Sequence, residues 1–485
     1  MAGTVHLVGI CGTGMGSLAG LFRAAGWEVR GSDSGVYPPM SQQLASLGIP
    51  VMEGFDAAHL DWAPDRVVIG NVARPDNPEA VEARRRGIPF ESMAEAVAHH
   101  FLEGRHSVVV AGTHGKTTTA SLIAWGLHAA RRDPGFLIGG VVGNVGSTFR
   151  LGGGEEFVVE GDEYETAFFD KGPKFLHYRP RSAVLTSIEM DHVEVFPDLD
   201  ALQQAFRRFL QLLPPDGRLI ACADDAGVAA VIEHCLAPVT WYGLDNGPGT
   251  RAYLLEAGPA GSTFDLVRDG RRWGRLHSPL TGDHNLRNLV AAAEVLAAIG
   301  LGPDEVAAGF AAFAGVRRRQ EVRGEASGVT VIDDFAHHPT AVRETLRALR
   351  VRFPERRLVA VFEPRTNTSR RAVFQSAYVD ALAVADRVVV AGVHQPERAP
   401  QGDRLDPARV AADLRGQGVP ADYIPEVGAI VTDLAGSSCP GDIVAVMSNG
   451  PFGGLHDRLL EALRSRQESG TSRLREPGGN VSPPC

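Results

Sequence analysis

The stretch Ser107-Val-Val-Val110-Ala-Gly112-Thr113-His114-Gly115-Lys116-Thr117-Thr118 carries an apolar run straight into a glycine-bounded loop. Three valines in a row predict a buried strand of a parallel sheet. The residues after the loop predict a helix to about residue 130. Such a strand–loop–helix aims backbone N–H groups and a helix N-terminus at an anion. Lys116 is then placed for the β- and γ-phosphates of a nucleoside triphosphate, and Thr117 for a hydroxyl contact to Mg²⁺. Gly112, Thr113, His114, Gly115 and Thr118 complete the candidate cradle. The glycine spacing is shorter than in G-x-x-x-x-G-K-[ST], so an ordinary glycine-rich turn is the competing reading.

Lysine is scarce, which sharpens the assignment. The 485 residues hold three lysines (Lys116, Lys171, Lys174), and arginine supplies the rest of the positive charge. Net charge is −10, which does not favour nucleic acid or an anionic membrane. No apolar run approaches the roughly 18 residues of a membrane helix. Five scattered cysteines form no C-x-x-C pair or zinc spacing, and no basic leader precedes the first apolar run. A reducing cytoplasm is therefore expected, with the chain a monomer or weak homo-oligomer.

Strand and helix patterns alternate on both sides of the loop, predicting an α/β protein of three domains. Their expected bounds are 1–104, 105–315 and 316–466, with a disordered tail over 467–485. Residues 4–10 read as a strand, 14–25 as a helix, and Ser32 and Asp33 as the end of a second strand. Residues 251–280 alternate as antiparallel strands, with Asp269-Gly270 as a hairpin turn. Strands are expected at 329–332, 358–362, 387–390 and 443–446.

Further motifs fall at predicted strand ends, where open parallel sheets gather ligands. Gly9-Ile-Cys-Gly12-Thr-Gly14-Met15-Gly16 follows the first strand and alone reads as a dinucleotide or other diphosphate loop. A phosphate loop in the next domain makes a non-redox diphosphate such as UDP the more plausible ligand. Glu160-Gly-Asp-Glu163 and Glu189-Met-Asp-His192 offer carboxylates and an imidazole for a metal. Gly282-Asp-His-Asn285-Leu-Arg-Asn288 opens a helix with two of the chain's nine asparagines, suited either to a purine edge or to capping. Arg317-Arg-Arg319 and Asp333-Asp334-Phe-Ala-His337-His338-Pro339 head the third block. Glu363-Pro-Arg365-Thr-Asn367-Thr and Met447-Ser-Asn449-Gly450 face a second substrate there.

These motifs, in this order over about residues 4–462, resemble those of the Mur ligases, ATP-dependent amide-bond ligases of cell-wall synthesis. The resemblance implies a Rossmann-like UDP-binding domain, a central P-loop ATPase-type domain and a C-terminal Rossmann-like domain. Val36-Tyr-Pro-Pro-Met40-Ser, Glu163–Lys171, Lys174–Tyr178, Glu363–Thr368 and Met447–Gly450 are similar to the family branch that handles a preformed peptide. That branch joins the murein tripeptide L-alanyl-γ-D-glutamyl-meso-2,6-diaminopimelate to UDP-N-acetylmuramate in peptidoglycan recycling. The alternative within the family is addition of L-alanine to the same acceptor.

By position, the resemblance puts Gly12, Gly14, Met15 and Gly16 at the UDP diphosphate and Ser32 and Asp33 beside uridine. It puts Lys116, Thr117 and Thr118 on ATP, and Thr117, Glu160 and His192 on Mg²⁺. Asn285 and Asn288 meet adenine, and Arg319, Asp334 and His337 complete the ATP site. Arg365 and Asn449 face the peptide. Lys116, His192 and Arg319 are the expected catalytic groups. Two departures stand out: Gly161 replaces the usual alanine of E-A-D-E, and Phe206-Arg-Arg208 lacks the lysine that some sister ligases carbamylate.

Overall fold

The computed structural model describes residues 2–37, 40–245 and 247–473. Pro38 and Pro39 of the Val36–Ser41 stretch lie outside the described residues.

The first sheet sets Val51–Glu53, Glu28–Asp33, Thr4–Val8, Arg66–Ile69 and Phe90–Ser92 side by side in that order, all parallel. Chain order reverses at Thr4–Val8, so a crevice opens beyond its carboxyl end. The glycine-rich loop crosses that crevice into the helix Thr13–Ala24.

The middle sheet has ten strands. His106–Ala111 is central, flanked in parallel by Ser182–Leu185 and Glu156–Gly161. This second reversal point explains the site. The phosphate loop follows the central strand, and the two carboxylate motifs follow its two neighbours. The helix Lys116–Ala129 packs against Asp283–Ala298; a Cβ on Gly126 would lie 2.5 Å from Leu296. The antiparallel end comprises Thr250–Gly258, Gly261–Arg268 and Arg271–Ser278. Asp269 and Gly270 join the last two strands with φ of 48° and 74°, the left-handed pair a tight hairpin needs.

The third sheet runs Glu321–Ala326, Val329–Asp334, Ile443–Met447, Leu358–Phe362, Arg387–Val390 and Ala421–Tyr423, parallel except for the first. Leu358–Phe362 and Ile443–Met447 are buried along their length, as their unbroken apolar runs required, and Val329–Asp334 is buried too, with Asp333 and Asp334 at its carboxyl end. The lead-in to this domain is stitched to the strand Gly135–Val142: Gly143 N–H donates to Gly315 O (2.9 Å) and Arg317 N–H to Val141 O (3.0 Å). The last helix, Leu455–Arg473, runs past residue 466, where a disordered tail was expected to begin. The tail was expected from its Ser, Gly, Pro and Arg content, and the glycines and prolines crowd toward its far end, beyond Arg473. Residues 474–485 of that tail lie outside the described residues.

Candidate active site

The phosphate loop is held from below. Thr113 N–H donates to Ser187 O (2.8 Å), His114 N–H to Ser187 Oγ (3.0 Å), and Glu189 N–H to Thr113 Oγ1 (3.0 Å). Gly112 has φ 126°, and a Cβ there would lie 2.2 Å from Thr186 Oγ1. Gly115 caps the helix at φ 81°, and a Cβ there would lie 2.4 Å from Asn288 Oδ1. The first-turn N–H groups beyond Gly115 have no acceptor within the helix and are left for an anion.

Lys116 Nζ donates to Gly112 O (2.6 Å) and to both oxygens of buried Glu163 (3.1 and 2.9 Å). Burial alone would lower the lysine pKa, but Glu163 and Asp162 override it and the ammonium is held charged. Thr117 Oγ1 donates to Glu160 Oε1 (2.7 Å), and Arg319 donates to Thr117 Oγ1 (3.2 Å). An arginine from the third domain's lead-in thus reaches the first turn of the phosphate-loop helix. Burial, then the neighbouring Asp162, raise the Glu160 pKa. Two oxygens this close on a partly buried carboxylate and hydroxyl suit a hard divalent cation.

His192 has left-handed backbone (φ 52°). Its Nε2 lies 3.6 Å from Glu163 Oε1 and its Nδ1 3.6 Å from Glu194 Oε1. Burial opposes its charge, but Glu194, Asp191 and Glu163 outweigh that and push its pKa up to about 9. Here it is a cation among carboxylates; to ligate a metal it must first lose that proton. The carboxylate of neighbouring Asp191 accepts from Thr368 Oγ1 of the third domain (2.5 Å).

Other expected residues divide between the cavities and their supports. Asn285 and Asn288 are buried in a chain of hydrogen bonds: Asn285 to Thr281 O, Asn288 to Asn285 Oδ1, and Thr119 Oγ1 to Asn288 Oδ1. Asn288 therefore also braces the phosphate loop. Asp334 is buried, accepts from Gln320 N, Ala336 N and Thr345 Oγ1, and so fixes the segment carrying Arg319. His337 lines the spaces on both sides of this segment.

The first domain differs more from expectation. Ser32 is fully buried, and its Oγ donates to Glu79 Oε2 (2.5 Å) instead of facing a crevice. Met15 is buried in the core. Asp33 accepts from Cys11 N and Gly35 N and closes the loop. Gly14 lines the large cavity, whereas a Cβ at Gly16 would lie 2.3 Å from Met40 Sδ. A strand's alternation decides which of Ser32 and Asp33 points outward, and the motif alone does not show it.

Two cavities meet at the phosphate loop. One, of about 460 Å³, is lined by the loop, Asn285, Asn288, Arg319, Asp334 and His338. The other, of about 1020 Å³, reaches from Gly14 past Lys116, Glu160 and His192 to Arg365 and Asn449. Its far wall holds three groups that the sequence reading missed: Arg370, His394 and Arg398. Arg370 is buried and donates to His394 O and Asn367 Oδ1. Burial, then Arg398 and Arg365, lower its pKa. Among the described residues neither Arg370 nor Arg398 has a carboxylate within ion-pair distance, and Asn449 Oδ1 is buried without a partner. The signal available was position: both arginines follow strand ends of an open sheet.

The chain matches the Mur ligase family catalytic domain over residues 4–105, the Mur ligase middle domain over 110–296 and the Mur ligase glutamate ligase domain over 318–450. It belongs to the Mur ligase family and is an ATP-dependent ligase of that class. It is 38% identical over 467 residues to the UDP-N-acetylmuramate–L-alanyl-γ-D-glutamyl-meso-2,6-diaminoheptandioate ligase of Escherichia coli, covering 96% of this chain and 99% of that one. It is also 38% identical over 486 residues to the UDP-N-acetylmuramate–L-alanine ligase of Salinispora arenicola, covering 98% and 91%. A crystal structure of a murein peptide ligase from Psychrobacter arcticus superposes with TM-score 0.71 at 34% identity, covering 95% and 99%.

Proposed function

We propose that this ligase joins the tripeptide L-alanyl-γ-D-glutamyl-meso-2,6-diaminopimelate to the lactyl carboxylate of UDP-N-acetylmuramate in the cytoplasm, in peptidoglycan recycling. One observation carries the reading: the cavity beyond the phosphate loop ends in buried Arg370 and exposed Arg398, neither with a carboxylate at ion-pair distance among the described residues. A buried guanidinium whose partners are neutral oxygens gains from a ligand that supplies the countercharge. The tripeptide brings three carboxylates to that arginine-lined end of the cavity, whereas L-alanine brings one.

ATP supplies the phosphoryl group. A carboxylate oxygen of UDP-N-acetylmuramate attacks the γ-phosphorus, the bond to the β–γ bridging oxygen breaks, and ADP leaves. The peptide's neutral amine then attacks the acyl phosphate. Inorganic phosphate departs with one former carboxylate oxygen, and the amine proton passes to solvent. Lys116 and Arg319 offset negative charge on the transferring group. Mg²⁺, when bound, adds to that, held by Thr117 and Glu160, with His192 in the same cavity. The contacts of Arg319 and Thr368 with the middle domain keep the third domain closed over the acyl phosphate and exclude water.

The test is a substrate panel. With UDP-N-acetylmuramate and Mg-ATP, ADP release should require the tripeptide and yield tripeptide-linked product. Product formed from L-alanine at a higher kcat/KM would instead assign the alanine reaction.

A further inference from the structure

Glu189 sits at the junction of the phosphate loop and the third domain. Its Oε2 lies 2.8 Å from His114 Nε2 and 3.8 Å from His338 Nδ1. One ligand atom from each of His114, Glu189 and His338 falls within 4.8 Å of the others. The two histidine rings lie 4.9 Å apart between centroids, tilted 46° to each other. We propose that these three side chains form a second divalent-cation site, selective for a borderline ion of the Zn²⁺ or Co²⁺ type over Mg²⁺, that ties the third domain to the phosphate loop.

The surroundings match what a metal requires of its outer shell. His338 Nε2 lies 3.2 Å from Met190 O, so Nε2 carries the proton and Nδ1 presents its lone pair toward Glu189. That Nδ1 accepts only a long bond from Thr340 N (3.3 Å). The other carboxylate oxygen, Glu189 Oε1, accepts from Thr340 Oγ1 (2.8 Å), which fixes the plane of the carboxylate. A ligating histidine whose second nitrogen donates to a carbonyl, beside a carboxylate that is itself hydrogen-bonded, is the usual second-shell arrangement. Two imidazoles and one carboxylate suit a borderline ion, whereas Mg²⁺ prefers oxygen ligands and water. The smaller cavity borders all three residues and leaves a fourth position for water or a phosphate oxygen. None of the three belongs to the Thr117, Glu160 and His192 set. Each comes from a different segment: the phosphate loop, the end of a middle-domain strand, and the N-cap of the third domain's helix Pro339–Arg352. An ion there would bridge two domains.

The experiment uses tag-free, nucleotide-free, full-length protein with Mg²⁺ in large excess, titrated with Co²⁺ and read by visible absorption. One equivalent should saturate and be displaced by Zn²⁺. Glu189→Gln and His338→Asn should each weaken binding at least about tenfold. The asparagine keeps a capping acceptor at the helix start, so the second variant retains the fold. Absence of a saturable absorption band in the wild type, or wild-type affinity in either variant, would overturn the site.

Discussion

Lys116 Nζ lies 2.9 Å from Glu163 Oε2, and both side chains are shielded from solvent. The lysine that would meet the triphosphate is thus held by a carboxylate that the phosphates must displace or share. Lys116→Ala should reduce ATP turnover at least about 100-fold, the scale of losing one aimed donor to a developing anion. It should also strip buried Glu163 of its nearest cation, leaving only His192 at 3.6 Å, at a cost of up to about 3–5 kcal/mol by chemical denaturation. Lys116→Met with Glu163→Gln should recover much of that stability and none of the turnover. Turnover near the wild-type rate in Lys116→Ala would refute the phosphate-loop role.

Gly115→Ala places a methyl group against Asn288 at a backbone angle that alanine resists. A loss of about 1–2 kcal/mol from the left-handed conformation alone is expected, with weaker ATP binding measured by calorimetry. Asn288→Ala should weaken ATP binding too, because it removes the loop's brace.

Arg319→Lys should lower kcat nearly as far as Arg319→Ala. A lysine cannot reproduce the planar fork that reaches Thr117 from the lead-in segment. Steady-state kinetics at saturating ATP separate this from a binding defect.

On the arginine wall, Arg370→Ala and Arg398→Ala should each raise KM for the tripeptide about tenfold while leaving KM for ATP within twofold. A matching rise in both constants would place these arginines elsewhere in the reaction.

Burial, then His114, push the His338 pKa down to about 4. The unfolded chain therefore takes up this proton first as pH falls. Stability from neutral His338 is fully present above about pH 6.5 and is lost toward pH 4. Wild type minus His338→Asn, followed as the urea midpoint between pH 4 and 7, should show that slope. A pH-independent difference would contradict it.

The sheets were legible because their strands are buried on both faces, which leaves unbroken runs such as residues 107–110 and 358–362. The glycines at 112 and 115 were legible from their place between an apolar run and a helix, and the structure adds the steric reason: a side chain at either would strike a neighbour. The burial of Ser32 and Met15 could not be read from their motif, because a motif does not show which face of a strand or helix is buried. Arg370 and Arg398 escaped notice because arginine is common here, and only the fold reveals which ones lack a counterion. The Glu189 contacts to His114 and His338 span separate segments that no local pattern connects.

The most direct measurement follows carboxylate oxygen. UDP-N-acetylmuramate labelled with ¹⁸O in its lactyl carboxylate is turned over with ATP and the tripeptide, and the released phosphate is analysed by mass spectrometry. One labelled oxygen per phosphate is the predicted result, because the carboxylate is activated by phosphoryl transfer at the loop bearing Lys116. Unlabelled phosphate accompanying full amide product would contradict it.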